Sequence, residues 1–320
     1  MRWGFLGASR IGQQRLAGAL RNQGQVLTAV AARVPERARQ YAAQEGFERA
    51  EMSYEALLAA PDVHAVYLSL TTEQHVPWAI RALNAGKHVL CEKPLALNAA
   101  EVRALMAAQA RSGRQVMEAF VHPFHPPFAH AAHLVRSGAL GEVLSLHATF
   151  HARLGRPGDF RWQKAHGGGA LYDVGCYCVS GVRRLLGQEP QWVSAQQRLS
   201  GEVDSTSSGL LAFPAGLSAT FTCSLDASPQ VHVQVLGQDA HLTLPQPFAS
   251  PGAPSQLILG DTVHTFEPTN PYERMVEHFL QVTAGTAEPL LPLTDSLAQS
   301  STLDALRLSM ETGKQVPLDG

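Results

Sequence analysis

Three stretches of the sequence set reactive or ligand-binding residue types at spacings that chemistry could use. Glu92-Lys93-Pro94 follows the short apolar run HVLC, so an amine stands at the end of a buried strand. Open α/β sheets bind ligands outside the carboxyl ends of their strands, and Lys93 would there sit beside a bound cofactor. Read alone, a lysine at a strand end is more often a solvated charge. Residues 167–179, GGGALYDVGCYCV, place three glycines ahead of Asp173 and Tyr177. If the segment is helical, these two are i and i+4 and share a face, and the glycines let backbone pack close to a ligand. The rival reading is a glycine-rich loop capped by Asp173, with Tyr177 as a buried aromatic. Residues 4–12, GFLGASRIG, match G-x-G-x-x-G in part: Gly7 and Gly12 fill the first and third positions and Ser9 the second. Such a turn at a helix start offers free N–H groups to a pyrophosphate, while its other reading is a tight strand-to-helix corner.

The elements around these residues favour the phosphate reading. RWGFL reads as a strand, residues 10–21 as a helix, VLTAVAA as a buried strand, and PERARQYAAQ as a helix. VHAVYLSL, a helix after His75 closed by Gly86, HVLC, a helix over 98–111 and QVMEAF continue the alternation. Short apolar strands alternating with amphipathic helices require right-handed crossovers and a parallel sheet covered on both faces. That predicts a doubly wound domain over 1–121. About twenty residues after the glycine turn, where an acid would hold the ribose of NAD, stands Arg33, which suits the 2′-phosphate of NADP. A solvated arginine is the alternative. Beyond HPFHPPF and one helix to Ser137 the runs lengthen and alternate: VLSLHATFHARL, LLAFPAGLSATFTCSL and VHVQVLGQDAHLTL. They predict an open, mixed and mostly antiparallel sheet in an α+β domain over 122–320, closed by a helix near 293–312.

Composition limits the rest. The chain has 320 residues, 45% hydrophobic and 16% charged, as expected of a folded protein with sizeable cores. Its 25 basic and 27 acidic side chains nearly cancel, which gives no field for nucleic acid or a membrane surface. No stretch approaches the roughly 20 apolar residues of a membrane span, and no leader is evident, so a cytoplasmic protein is expected. Cys91, Cys176, Cys178 and Cys223 are too few for a disulfide scaffold and fit a reducing compartment. Cys176-x-Cys178 lacks a second pair to complete a metal site. No metal is expected.

Taken together, GFLGASRIG, AAR, YLSLTTEQH, CEKPLAL, MEAF followed by FHP, GGGALYDVGCY and NPYERMVEHF resemble the glucose-fructose oxidoreductase, inositol dehydrogenase and rhizopine-catabolism (Gfo/Idh/MocA) family. The resemblance runs through nearly the whole chain. It is similar to the branch with dimeric dihydrodiol dehydrogenase and NADP-linked aldose dehydrogenases, where a tyrosine replaces a histidine. The resemblance implies an N-terminal Rossmann domain and hydride transfer between NADP, or NAD, and a hydroxyl or carbonyl of a sugar, cyclic polyol or dihydrodiol. It implies Lys93 and Tyr177 as the catalytic pair, with Asp173 orienting substrate or Lys93. It sets His75 near nicotinamide and substrate, and Arg161 either at the substrate pocket or in a surface salt bridge. The cofactor set it implies is Gly7, Ser9, Arg10, Ile11, Gly12, Arg33, Leu70, Thr71, His75, Glu92, Lys93 and Pro94. Family members often hold the Lys-Pro bond cis. The chemistry agrees: oxidising a carbinol requires removal of its hydroxyl proton, a task for a tyrosinate or a lysine of lowered pKa.

One departure is plain. After MEAF, relatives commonly carry an aromatic residue and an arginine, whereas this chain has Val121, His122 and Pro123. His122, His125, His130 and His133 could be read as a metal cluster, but the resemblance puts them at a domain junction and on an exposed helix. The partners it implies are a small-molecule substrate and a second copy of the chain, as a homodimer or homotetramer through the C-terminal sheet. Two rival functions remain at this point: a non-catalytic sensor of cofactor and sugar, and a nicotinamide-dependent glycosidase.

Overall fold

The computed structural model describes residues 1–154, 158–248 and 254–318, and the chain divides into two units. The first comprises Met1–Ala119 and Tyr272–Leu297, the second Phe120–Pro271 and the chain from Ala298.

The first unit opens with β1 (Arg2–Leu6), then a helical run over 10–22 whose last part is α1 (Ala17–Asn22). There follow β2 (Val26–Ala31), α2 (Pro35–Glu45), β3 (Arg49–Ala50), α3 (Tyr54–Ala59), β4 (Ala65–Leu68), α4 (Thr72–Asn84), β5 (His88–Cys91), α5 (Ala99–Ser112) and β6 (Val116–Glu118). All six strands pair in parallel in the order β3-β2-β1-β4-β5-β6. Apart from the two-residue β3, which is half-buried, the strands are largely apolar and buried on both faces, as a sheet covered by helices on each side demands. The order reverses between β1 and β4, and that switch point is where an open α/β sheet binds a ligand.

In the second unit α6 (Pro126–Arg136) leads to β7 (Val143–Arg153), and α7 (Cys176–Leu186) follows a winding segment of short helical turns. Then come β8 (Trp192–Ser200), β9 (Val203–Ala212), β10 (Ser218–Ser224), β11 (Asp226–Gly237), β12 (His241–Leu244), β13 (Ser255–Leu259) and β14 (Thr262–Phe266). With β15 (Val316–Pro317) they form a nine-stranded sheet, order β14-β13-β12-β11-β7-β10-β9-β8-β15. Every pairing is antiparallel except β7 with β10, so the sheet is mixed and mostly antiparallel as the alternation predicted. One face is apolar, with Leu146, Ala148, Ala219, Phe221, Val233 and Val235 buried. The opposite side of the same strands carries Ser145, His147, Thr149, Thr220, Thr222 and His232 in register.

Two further helices, α8 (Pro271–Thr283) and α9 (Leu293–Thr312), complete the chain. The stretch Tyr272–Leu297 packs with the first unit although the second precedes it in sequence. The cause is local: Phe279 of α8 sets its ring 5.3 Å from that of Trp3, and Ser296 donates to the buried Glu118 carboxylate at 2.8 Å. The sequence reading passed over α3 and α8, and it began α4 after His75. In fact α4 starts at Thr72 and contains His75.

Candidate active site

In the first unit the glycine turn joins β1 to its helix. Gly7 has φ +106°, a left-handed backbone that favours glycine, and a Cβ there would stand 2.8 Å from the Ser69 carbonyl oxygen. Its amide donates to the Ala31 carbonyl at 2.9 Å, which sets the end of β2 beside the turn. Leu70 lies over it. Ser9 caps the helix: its Oγ accepts from the Gly12 amide at 3.0 Å. A Cβ on Gly12 would come 2.8 Å from Tyr41 Oη and 3.0 Å from Ser9 Oγ, so the third glycine is required by close packing of helix and strand. Gly12–Leu16 is π-helical, a geometry found mostly as single turns and often at functional sites. Among the described residues the amides of Arg10 and Ile11 have no acceptor. Two unsatisfied N–H groups at the positive end of a helix fit an anionic pyrophosphate.

Arg33 is exposed just beyond β2, and among the described residues its guanidinium has no hydrogen-bond or ion-pair partner. A second arginine, passed over in the sequence, reaches the glycine turn: Arg37 Nη2 donates to the Ala8 carbonyl at 3.1 Å. The spacing Arg33-x-x-x-Arg37 after a strand was the available signal. A guanidinium at either position has the fork geometry that suits a phosphate monoester.

Lys93 follows β5, and its bond to Pro94 is cis, as the resemblance implied. The turn is pinned from several sides. The Glu92 carboxylate accepts from Tyr67 Oη at 2.6 Å and from the Lys93 amide at 3.3 Å. The Leu95 amide donates to Glu118 at 2.9 Å, a buried carboxylate whose structural task the motif MEAF did not reveal. His75 is 2% exposed, with Nδ1 2.9 Å from the Pro94 carbonyl and Nε2 3.1 Å from the Leu70 carbonyl. Burial lowers its pKa, against the pull of the two carbonyls. A neutral ring donates to only one of them, so His75 serves as a clasp between the ends of β4 and β5. Thr71, just before α4, donates to Glu73 at 2.7 Å and accepts from Gln74 at 3.0 Å.

In the second unit the glycine-rich stretch is a real helix start. A helical run over 170–186 opens with the π-helical turn Leu171–Gly175 and continues as α7, so Asp173 lies in the π turn and Tyr177 just beyond it. Two of the three glycines, Gly168 and Gly169, have close protein partners. A Cβ on Gly168 would meet the Arg161 carbonyl at 2.5 Å, and one on Gly169 (φ +117°) the Asp204 carboxylate at 2.0 Å. Their smallness is therefore explained by chain packing inside this unit, where the sequence suggested a ligand. Arg161 Nε donates to Asp173 at 3.1 Å and Nη1 to Asp159 at 3.2 Å. Burial opposes the guanidinium charge, but Asp173 and Asp159 outweigh it and hold the arginine above its usual pKa. Arg161 is thus in an ion-pair network that includes Asp173.

Tyr177 is half-buried, its ring 5.4 Å from each of Phe120, Phe150 and Phe248 and 5.9 Å from His122. Such a cage fixes the ring through edge and tilted contacts. His122 is fully buried, its Nε2 3.4 Å from Ser180 Oγ and its Nδ1 without a hydrogen-bond partner among the described residues, and burial holds it well below the usual histidine pKa. Aromatic packing explains why histidine replaces the expected aromatic residue there. His130 and His133 lie on α6. Among the described residues no three His, Cys, Asp or Glu side chains are arranged to hold a metal. Cys176, Cys178 and Cys223 are buried free thiols.

A doubly wound parallel sheet with an anion-ready helix start after its first strand defines a dinucleotide-binding α/β protein. The chain belongs to the Gfo/Idh/MocA oxidoreductase family: residues 1–120 match its oxidoreductase NAD-binding Rossmann-fold domain and residues 128–243 its C-terminal domain. It is 34% identical over 326 residues to D-xylose 1-dehydrogenase (NADP(+)) 2 of Haloferax volcanii, covering 100% of each chain. It is 33% identical over 273 residues to trans-1,2-dihydrobenzene-1,2-diol dehydrogenase of Mus musculus, covering 84% of this chain and 80% of that one. A 3-ketoreductase from Actinomadura kijaniata, solved with NADP and TDP-benzene, superposes with a TM-score of 0.91 at 30% identity over 97% of both chains.

Proposed function

We propose that the chain is an NADP-dependent dehydrogenase or reductase acting on a carbinol or carbonyl carbon of a small polyhydroxyl compound: an aldose, a cyclic polyol or a dihydrodiol. The observation that carries this reading is the glycine turn with two unpaired amides beside Arg33 and Arg37. NADP, when bound, supplies the hydride acceptor or donor at its nicotinamide. Arg10, Ile11 and the turn hold the pyrophosphate, and the arginines hold the ribose phosphate. Lys93 and Tyr177 move the hydroxyl proton. The pinned backbone from Glu92 to Leu95 gives Lys93 a fixed origin, and the aromatic cage gives Tyr177 one. Asp173, held by Arg161, accepts a substrate hydroxyl. The substrate class follows from relatives named for D-xylose and dihydrobenzenediol. A panel of aldoses, cyclic polyols and dihydrodiols with NADP and NAD, followed at the reduced-nicotinamide absorbance band, tests it. Turnover of at least one member with NADP is expected; binding of NADP with no turnover across the panel would leave a sensor.

We place the enzyme in the cytoplasm, where its four buried free cysteines stay reduced. No helix among the described residues is long and apolar enough to cross a membrane. We assign the polar side of the nine-stranded sheet to self-association. It is uncharged at Ser145, His147, Thr149, Thr220 and Thr222, and the histidine and threonines pair with one another: His147 with Thr220 at 2.8 Å and with Thr149 at 3.0 Å, and Thr149 with Thr222 at 3.4 Å. Burying such a surface strands no charge. Thr220→Arg should convert the wild-type oligomer to monomer in sedimentation velocity; a monomeric wild type would overturn the assignment.

A further inference from the structure

We propose that Asp204 is a positioning residue for the reaction, its carboxylate holding the π-helical turn that carries Asp173 and leads into Tyr177. The proposal rests on the roles given above to those two residues. Asp204 lies on β9 and is only 7% exposed. Its Oδ2 accepts from the Leu171 amide at 2.8 Å and from Ser207 Oγ at 2.5 Å.

The helix has no cap of its own. Ala170 precedes the π turn and has no side chain that can accept, so without Asp204 the Leu171 amide would lose its acceptor in a buried place. Asp204 reaches in from a neighbouring strand and supplies the missing acceptor, with its charge at the positive end of the helix. The space it occupies is the space Gly169 leaves. With φ +117° and only 2.0 Å between a Cβ and the carboxylate, Gly169 and Asp204 form a matched pair.

The carboxylate is expensive to keep there. Burial pushes its pKa up, and hydrogen bonds from Ser207 and the backbone draw it part of the way back. A neutral cap would satisfy one amide with less desolvation, so the charged group points to a stronger demand. The demand is the π turn, a geometry that is rare and occurs mostly as single turns. If it relaxed to an α turn, Asp173 would rotate about the helix axis relative to Tyr177, whose ring is fixed by its cage. Proton transfer would then lose its geometry while the nucleotide turn in the other unit kept its own.

Asp204→Asn tests this, since it keeps the shape and one acceptor oxygen. Amide hydrogen exchange on the ligand-free protein should quicken at least tenfold over residues 170–176, with β7 and β10 unchanged. With whichever panel compound is turned over, kcat should fall at least tenfold, its primary deuterium isotope effect should rise, and NADP affinity should stay within twofold. Unchanged exchange over 170–176 would overturn the proposal. So would faster exchange with wild-type kcat and isotope effect, which would make Asp204 a stabilising group only. If no panel compound reacts, the proposed function fails, while exchange still decides whether Asp204 holds the turn. Should Asp204→Asn not fold, Ser207→Ala weakens the same carboxylate and should show both effects at about threefold.

Discussion

On the proposed function, two side chains carry the chemistry and two the choice of cofactor. Tyr177→Phe keeps the ring that Phe120, Phe150, Phe248 and His122 hold, and removes only the transferable proton. A positioned acid-base group contributes about 10²- to 10⁴-fold in rate, and kcat should fall by that order with NADP affinity unchanged. Lys93→Met should cost as much. Groups serving one step are non-additive, so the double variant should be little slower than either single one by steady-state kinetics. A Tyr177→Phe enzyme within about threefold of wild type would remove the tyrosine from the mechanism. At the other end of the cofactor, charge-assisted contacts from Arg33 should favour NADP over NAD by about 1–3 kcal/mol, and Arg33→Asp should reverse the order in calorimetry. Equal wild-type affinities would sink that assignment. Arg37 should soften the reversal, since its guanidinium already sits at the turn.

Elements hold these residues through caps and close packing, and here sequence and structure can be compared. Gly12→Val pushes against Tyr41, Ser9 and Tyr67 at once, so NADP affinity should drop in titrations of a protein that remains folded. Ser9→Ala should lower stability by about 1 kcal/mol, and Ser9→Gly by only a few tenths, in urea unfolding. The parallel sheet, the glycine turn and the strand-end lysine were legible because each leaves a local mark: apolar periodicity, glycine spacing, a residue after a run. The supports were not. Glu118, His75, Asp204 and Arg161 act on backbone or side chains that the fold alone brings near, and nothing in QVMEAF or VDSTSS says what a carboxylate will meet. Gly168 and Gly169 mislead for the same reason. Their neighbours are Arg161 and Asp204, and a sequence shows only that something comes close. Helix α8 escaped because its apolar stripe belongs to a sheet that ends far upstream.

At the scale of the whole molecule, buried histidines couple stability to pH. His122 and His75 titrate below the usual value near 6.5 because burial disfavours their charge. The unfolded chain takes up these protons as pH falls below about 6.5 and the native chain does not, so stability present above that pH is lost on acidification. Each fully excluded proton contributes a slope of about 1.4 kcal/mol per pH unit. The melting temperature should therefore fall between pH 7.5 and 5.5, and His122→Phe, which suits an aromatic cage, should flatten the fall; an unchanged slope in scanning calorimetry would acquit the residue. The divided first unit has a consequence for synthesis. Tyr272–Leu297 belongs to a body whose other elements end at Ala119, with the second unit encoded between. At roughly 5–20 residues per second, the nascent parallel sheet waits on the order of 10 s for Phe279 to reach Trp3 and for Ser296 to reach Glu118. During that interval the Trp3 indole stands without the ring that packs on it in the finished chain, so a holding chaperone would find its client in the half-made chain rather than the finished enzyme.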